Sequence, residues 1–252
     1  MKIKIIGCGL SGIVSAIILK EKGHDVEIFE TRNHIGGNCF DSNVCGVIMH
    51  NYGPHIFHTN DEEVWEFLNR YTSFTPFKYA PLGNTKLGLI SLPYSLTTVN
   101  ELKRELSEQE IIDLIYKDYS EKQWGVPFEK ISKSIISRVP ILKNEYSPSW
   151  YGSEKYQGIP SYGYTHMLSN MLNGIKVNLG ISPKEYLKIK SDLTIYTGKI
   201  DEYYNFCYGR LPYRSLKFEH TITEDRLVHH AINECNKNVS YTRSEEHTSE
   251  LQ

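Results

Sequence analysis

The most constraining feature of the chain is Gly7-x-Gly9-x-x-Gly12, set after a short apolar run at residues 2–6 and opening a segment of helical spacing. Ile13, Val14, Ile17 and Ile18 recur as one helix face over 11–22, and Gly23 stands where a glycine would end the helix. Val26–Glu30 follows as a second buried strand. In such a strand–turn–helix–strand unit Gly7 permits the tight turn, Gly9 lets the backbone approach a pyrophosphate, and Gly12 lets helix and strand pack closely. The helix N-terminus, with Leu10 and Ser11 in its first turn, then faces the phosphate charge. Glu30 ends the second strand where a carboxylate accepts from ribose hydroxyls, and its charge opposes a 2′-phosphate.

A second cluster, Arg32, Asn33, Gly36, Gly37 and Asn38, follows at once. It reads either as an ordinary turn or as a second loop bringing N–H groups and a cation to the cofactor. By fold-level analogy such a two-part loop favours FAD over NAD. His55 and His58 are spaced like metal ligands, yet no third or fourth ligand follows at suitable spacing, so hydrogen bonding is expected and no metal.

Farther along, 61–70 reads as a helix capped by Asp61, 99–119 as helical, and 134–138 as a short helix ended by Pro140. Aromatics, glycines and prolines make 147–163 a loop or irregular strand, followed by a helix at 164–171 and strands at 176–179 and 193–196. The 252 residues allow two lobes, and 28 Lys+Arg against 30 Asp+Glu give a charge of -2, with no general attraction to nucleic acid or anionic lipid. Five scattered cysteines suit a reducing cytoplasm, and no run approaches the ~20 apolar residues of a membrane span.

Beyond the fingerprint, RNHIGGN at 32–38, YGPHIFHTN at 52–60, YSEKQWG at 119–125, RVP at 138–140, YQGIPSYGYT at 156–165, GRLPYRSLKFE at 209–219 and VSYTR at 239–243 run in order along the chain. Together they resemble the UDP-galactopyranose mutase family. The resemblance implies a flavoprotein whose reduced FAD, through an N5–sugar adduct, interconverts UDP-galactopyranose and UDP-galactofuranose without net redox change. NADPH or NADH is the implied external reductant, a homodimer the implied assembly, and cytoplasmic supply of galactofuranose for surface glycans the implied context.

Carried over residue by residue, the resemblance makes Arg138 and Arg243 the pair that grips the UDP diphosphate, a task suited to guanidiniums. His55 and His58 become flavin neighbours, with His58 nearer the isoalloxazine. Tyr119, Ser120 and Trp124 border the uridine end, Ser120 standing for the usual threonine. Tyr151 corresponds to a phosphate-binding tyrosine, in a stretch two residues longer than the family pattern. Asn233 corresponds to a substrate-side hydrogen-bonding residue, and Arg214, whose neighbours Tyr213 and Leu216 suggest a partly buried stem, to an arginine near flavin and phosphate.

The implied architecture is α/β: an FAD-binding Rossmann-like βαβ domain with an inserted mainly helical domain and an additional antiparallel sheet region. Its segments are 1–95, 96–140, 141–243 and a tail at 244–252. Pro54, Lys199 and Ser240 depart from the family's alanine, proline and proline. RSEEHTSELQ resembles a translated sequencing-library adapter, so 244–252 is expected to be non-native and to replace a longer family segment. The alternatives are an inactive fragment that binds a nucleotide sugar, or an FAD-dependent oxidoreductase of related fold.

Overall fold

The N-terminal βαβ unit forms as expected in the computed structural model, which describes residues 1–136, 140–146, 149–152, 154–225 and 227–247. Strand β1 (Lys2–Ile6) leads into helix α1 (Leu10–Glu21), one residue earlier than the apolar spacing suggests, and then into β2 (Asp25–Phe29). Gly23, at φ 80°, ends the helix: its N–H reaches the Lys20 carbonyl at 2.8 Å, and the His24 N–H reaches that of Leu19 at 3.1 Å.

The chain divides into two compact units, one of Met1–Thr75 with Gly158–Tyr213, the other of Pro76–Gln157 with Arg214–His247. In the first, β1 and β2 join the strands Lys176–Asn178 and Leu193–Tyr196 in a sheet whose paired strands are all parallel. Numbered along the chain, its order is 3-2-1-4, the first half of a dinucleotide-binding sheet. Ile3, Ile5, Ile13, Ala16 and Ile28 of the βαβ unit pack with Met167, Leu168 and Met171 of the helix Tyr164–Met171, every one at most 2% exposed. Each large apolar side chain so buried contributes about 1.5–3 kcal/mol.

That helix has no cap of its own. Asp41, 5% exposed and far away in sequence, turns its carboxylate onto the helix start, accepting from the N–H groups of Tyr164 at 2.5 Å and Thr165 at 3.0 Å. The placement satisfies two orphan donors and sets a negative charge at the positive helix end.

The second unit is built on a mixed sheet ordered Arg243–Glu245, Ala231–Glu234, Leu82–Thr85, Gly88–Ser91. The two middle strands are parallel and both outer pairings antiparallel. Ile90, Leu92, Tyr94, Leu106, Ile111, Ile115 and Tyr116 form its core. The helical stretch begins at Leu96–Leu102, resumes at Glu108–Ile111 under a Ser107/Glu110 capping box, passes through one π-turn at Ile112–Tyr116, and ends as Lys117–Trp124.

Two expectations need correction. The 147–163 stretch contains a regular strand, Tyr156–Pro160. Tyr213, Arg214 and Leu216 are exposed, because the chain there joins no helix or strand that would cover them.

Candidate functional site

In the first unit the fingerprint builds a cradle of backbone. Gly7 sits at φ 103°, and a Cβ there would strike the Thr197 hydroxyl, which is held on the Ile6 carbonyl at 2.9 Å. A Cβ on Gly12 would run into the Gly7 carbonyl, so α1 and the turn touch only because both residues are glycine. Gly9 is the N-cap of α1 and offers no side-chain cap, while Leu10 and Ser11 remain exposed. The first N–H groups of the helix are therefore left for a ligand.

The second glycine pair packs onto the first loop. The Gly36 N–H donates to the Cys8 carbonyl at 2.7 Å, and Gly9 and Gly36 form a parallel bridge. The Gly36 donor is thus committed to joining the two loops. A Cβ on Gly37 would come 3.1 Å from the Gly9 Cα, so the loops approach as two bare backbones. Glu30, 7% exposed, accepts from the N–H groups of Cys8 and Arg32, each at 2.8 Å, which aims its carboxylate while leaving lone pairs for ribose hydroxyls. Burial, with Glu30 beside it, pushes the Cys8 thiol up to about 12, so this cysteine is an inert packing residue.

Arg32 is held by Asn38, whose amide oxygen accepts from both terminal guanidinium nitrogens at 3.1 Å, and it lies over the Tyr52 ring at 4.8 Å. Among the described residues no carboxylate pairs with its charge. A glycine cradle, an uncapped helix start, an aimed carboxylate and an uncommitted cation together fit the pyrophosphate and ribose of a dinucleotide. His55 is tied locally, its Nδ1 bonding the Gly53 carbonyl at 2.8 Å, while His58 lies half-buried in the strand Phe57–Thr59.

The second unit gathers side chains instead. Asn233 and Arg243 lie directly opposite each other on antiparallel strands, and the Arg243 Nε–H donates to the Asn233 amide oxygen at 2.9 Å. The same guanidinium donates through Nη1 to Glu245 at 2.9 Å and through Nη2 to the Tyr119 hydroxyl at 3.3 Å. Three of its five N–H groups are thereby used, leaving two for a ligand. Asn233 acts first on the arginine, and its amide nitrogen is left as the donor that can meet a ligand.

Tyr79 lies under that arginine, 5.9 Å from guanidinium carbon to ring centre, with Tyr151 6.2 Å beyond. Burial pushes both phenols' pKa values up, and the Arg243 charge pulls back against it. Ser120 and Trp124 are half-buried on the same helix as Tyr119. Arg214 rests its guanidinium over Gly125, whose φ of 64° ends that helix, so a Cβ at Gly125 would collide with it. Arg138 lies outside the described residues. An open groove of about 900 Å³ in the first unit, beside Lys20, Arg70 and Asn170, is lined by none of the candidate residues.

Comparison with known proteins decides what these groups belong to. A family model described as UDP-galactopyranose mutase matches residues 114–251, and one for an NAD(P)-binding Rossmann-like domain matches 5–71. The chain is 35% identical to the dTDP-fucopyranose mutase of Escherichia coli over 98% of its own length and 76% of that protein's. It is 32% identical to a probable UDP-galactopyranose mutase of Klebsiella pneumoniae over 97% and 73%. The chain belongs to the UDP-galactopyranose mutase family. A crystal structure of a reduced UDP-galactopyranose mutase superposes with a TM-score of 0.55 at 14% identity, over 71% of this chain and about half, 48%, of that one, which shows a shared fold.

Within this mutase-family chain, sequence reasoning missed Lys122 and Tyr79. The Lys122 ammonium shares its three N–H groups among the carbonyls of Glu234, Asn236, Val239 and Tyr241, at 2.7, 2.9, 3.2 and 2.9 Å, pinning the connection between the strands of Asn233 and Arg243. A lysine amid polar residues of a helix gives no sequence signal of such a task. Tyr79 sits in FKYAPLG, a stretch without periodicity.

Proposed function

We propose that the protein, with FAD on the first unit, interconverts the pyranose and furanose forms of a nucleotide diphosphosugar held by the second, UDP-galactose being the first candidate. Membership in the mutase family is the observation that carries this reading. When bound and reduced, FAD supplies an N5 nucleophile for the anomeric carbon as the nucleoside diphosphate leaves. Gly9, Gly37 and the first N–H groups of α1 would receive its pyrophosphate, with Gly7 and Gly12 holding the turn against the helix, Glu30 would take ribose hydroxyls, and Arg32 and Asn38 would place a cation beside the phosphates. His55 and His58 serve the flavin ring.

Arg243, helped by Arg138 and Arg214, stabilises charge on the departing diphosphate through hydrogen bonds that strengthen as charge develops. Asn233 orients Arg243, Tyr119 and Tyr151 add phenolic donors, and Ser120 and Trp124 border the base. NADPH or NADH as reductant, a homodimer and a cytoplasmic setting belong to the same proposal; no helix among the described residues is long and apolar enough to cross a membrane.

A second reading concerns the substrate alone. The higher identity to a dTDP-fucopyranose mutase favours testing a thymidine diphosphate 6-deoxyhexose beside UDP-galactose. The full chain, loaded with FAD and reduced, is given UDP-galactofuranose and dTDP-fucofuranose in parallel. Pyranose formation without net consumption of reductant supports the mutase reading, and the faster substrate decides between the two sugars. Stoichiometric consumption of reductant would mark an oxidoreductase, and binding without conversion a nucleotide-sugar-binding fragment.

A further inference from the structure

We infer that Tyr79 is a ligand-binding residue of the second unit, its hydroxyl donating a hydrogen bond to the diphosphate of the nucleotide sugar beside Arg243. This rests on the reading that the Arg243 cluster holds such a diphosphate. Tyr79 is 7% exposed, yet its hydroxyl has no hydrogen-bond partner. The residue is well anchored, since its carbonyl accepts from the Trp150 N–H at 2.6 Å and its ring packs at 5.8 Å against that of His230.

His230 carries a second unpartnered buried atom, Nε2. Native interiors rarely leave buried polar atoms unmatched, and each one costs stability in the empty protein. Two of them, on rings packed against each other and next to a guanidinium with N–H groups to spare, mark a place completed by a hydrogen-bonding group, to which the guanidinium can only donate.

The surrounding groups specify that something. Arg243, Tyr119 and Tyr151 surround Tyr79, the Glu245 carboxylate is already taken by Arg243 Nη1 at 2.9 Å, and burial keeps the Tyr79 phenol protonated as a donor. Donors converging on a cation suit an oxygen-rich anion and repel a metal ion. A diphosphate presents enough non-bridging oxygens to take Arg243 and several phenols at once. A neutral sugar or base would leave the guanidinium's spare donors without charge to meet.

The test compares the full-length wild-type chain with Tyr79→Phe, titrating UDP by calorimetry and uridine by competition, and recording melting temperatures without ligand. Removing an unpartnered hydroxyl should leave the melting temperature equal or higher. UDP affinity should fall about tenfold, roughly 1.4 kcal/mol, with uridine little changed. Unchanged UDP affinity would mean that water satisfies the hydroxyl, and the inference would be overturned. A lower melting temperature would reveal a structural partner and overturn it as well, as would an equal loss for uridine. A wild-type chain that binds no UDP sinks the diphosphate reading itself, whereas failure confined to Tyr79 leaves wild-type binding intact.

Discussion

On the proposed assignment, the two units would hold phosphate by opposite means. The first uses backbone: Gly9 and Gly37 meet as bare chain, α1 begins without a cap, and the Glu30 carboxylate is aimed by two N–H groups. The second uses side chains drawn from positions 79, 119, 233 and 243, with Arg243 at their centre. A backbone site is specified by what is missing, namely Cβ atoms. A side-chain site depends on what orients each group, here Asn233 and Lys122. The first should therefore fail on added atoms and the second on removed ones.

The largest effect is expected from Arg243→Ala, which should lower nucleotide-sugar turnover by roughly 10²–10³ while flavin uptake stays normal. Steady-state rates beside flavin absorbance check this; loss of flavin in that variant would break the division of labour. Arg243→Lys should recover little, since an ammonium cannot reproduce the planar fork.

Next comes Gly12→Ala. Its Cβ must displace the Gly7 carbonyl, and such overpacking costs about 1–3 kcal/mol. Flavin should be lost and the melting temperature lowered; a variant that keeps stoichiometric flavin would show that the cradle tolerates atoms after all. Lys122→Met should act in the opposite unit, leaving flavin bound but freeing four carbonyls, at about 1–3 kcal/mol for the stability of that unit. Hydrogen exchange over 234–243 reads the loosening, and unchanged protection there would deny the lysine its role.

The smallest effect concerns pH. Burial, with His229 adding repulsion, lowers the His230 pKa from 6.5 to about 4. The unfolded chain then binds the proton more readily than the folded one, so this contribution to stability is present above pH 6.5 and is lost as pH falls toward 4. Melting temperatures over that range should fall less steeply for His230→Phe than for wild type, and parallel curves would contradict the assignment.

The same contrast explains what could be read from the chain. In the first unit β1, α1 and β2 follow from apolar spacing, Gly23 and Asp61 cap where local chemistry places them, and the glycine positions indicate the cradle. All of these signals are local. Asp41 escaped notice because it caps a helix that starts 123 residues later.

Concealment went further in the second unit. The strand Ala231–Glu234 is buried throughout, yet half of it is polar, with Glu234 accepting from Asn84 at 2.9 Å. Leu82–Thr85 alternates in burial, yet its sequence LGNT carries no apolar–polar alternation that would announce it. Arg243, Tyr119 and Asn233 were legible only through the family resemblance, because no spacing announces that residues more than a hundred positions apart share one guanidinium. Tyr79 and Lys122 become visible only when the partners of their polar atoms are counted.

Amide hydrogen exchange on the full chain, with FAD alone and then with UDP alone, tests the separation of the two sites most directly. FAD should slow exchange at residues 8–13 and 36–38, and UDP should slow it at 231–234 and along the Lys117–Trp124 helix. UDP protection of the glycine loop, with the Arg243 strands left unchanged, would contradict the assignment of one ligand to each unit.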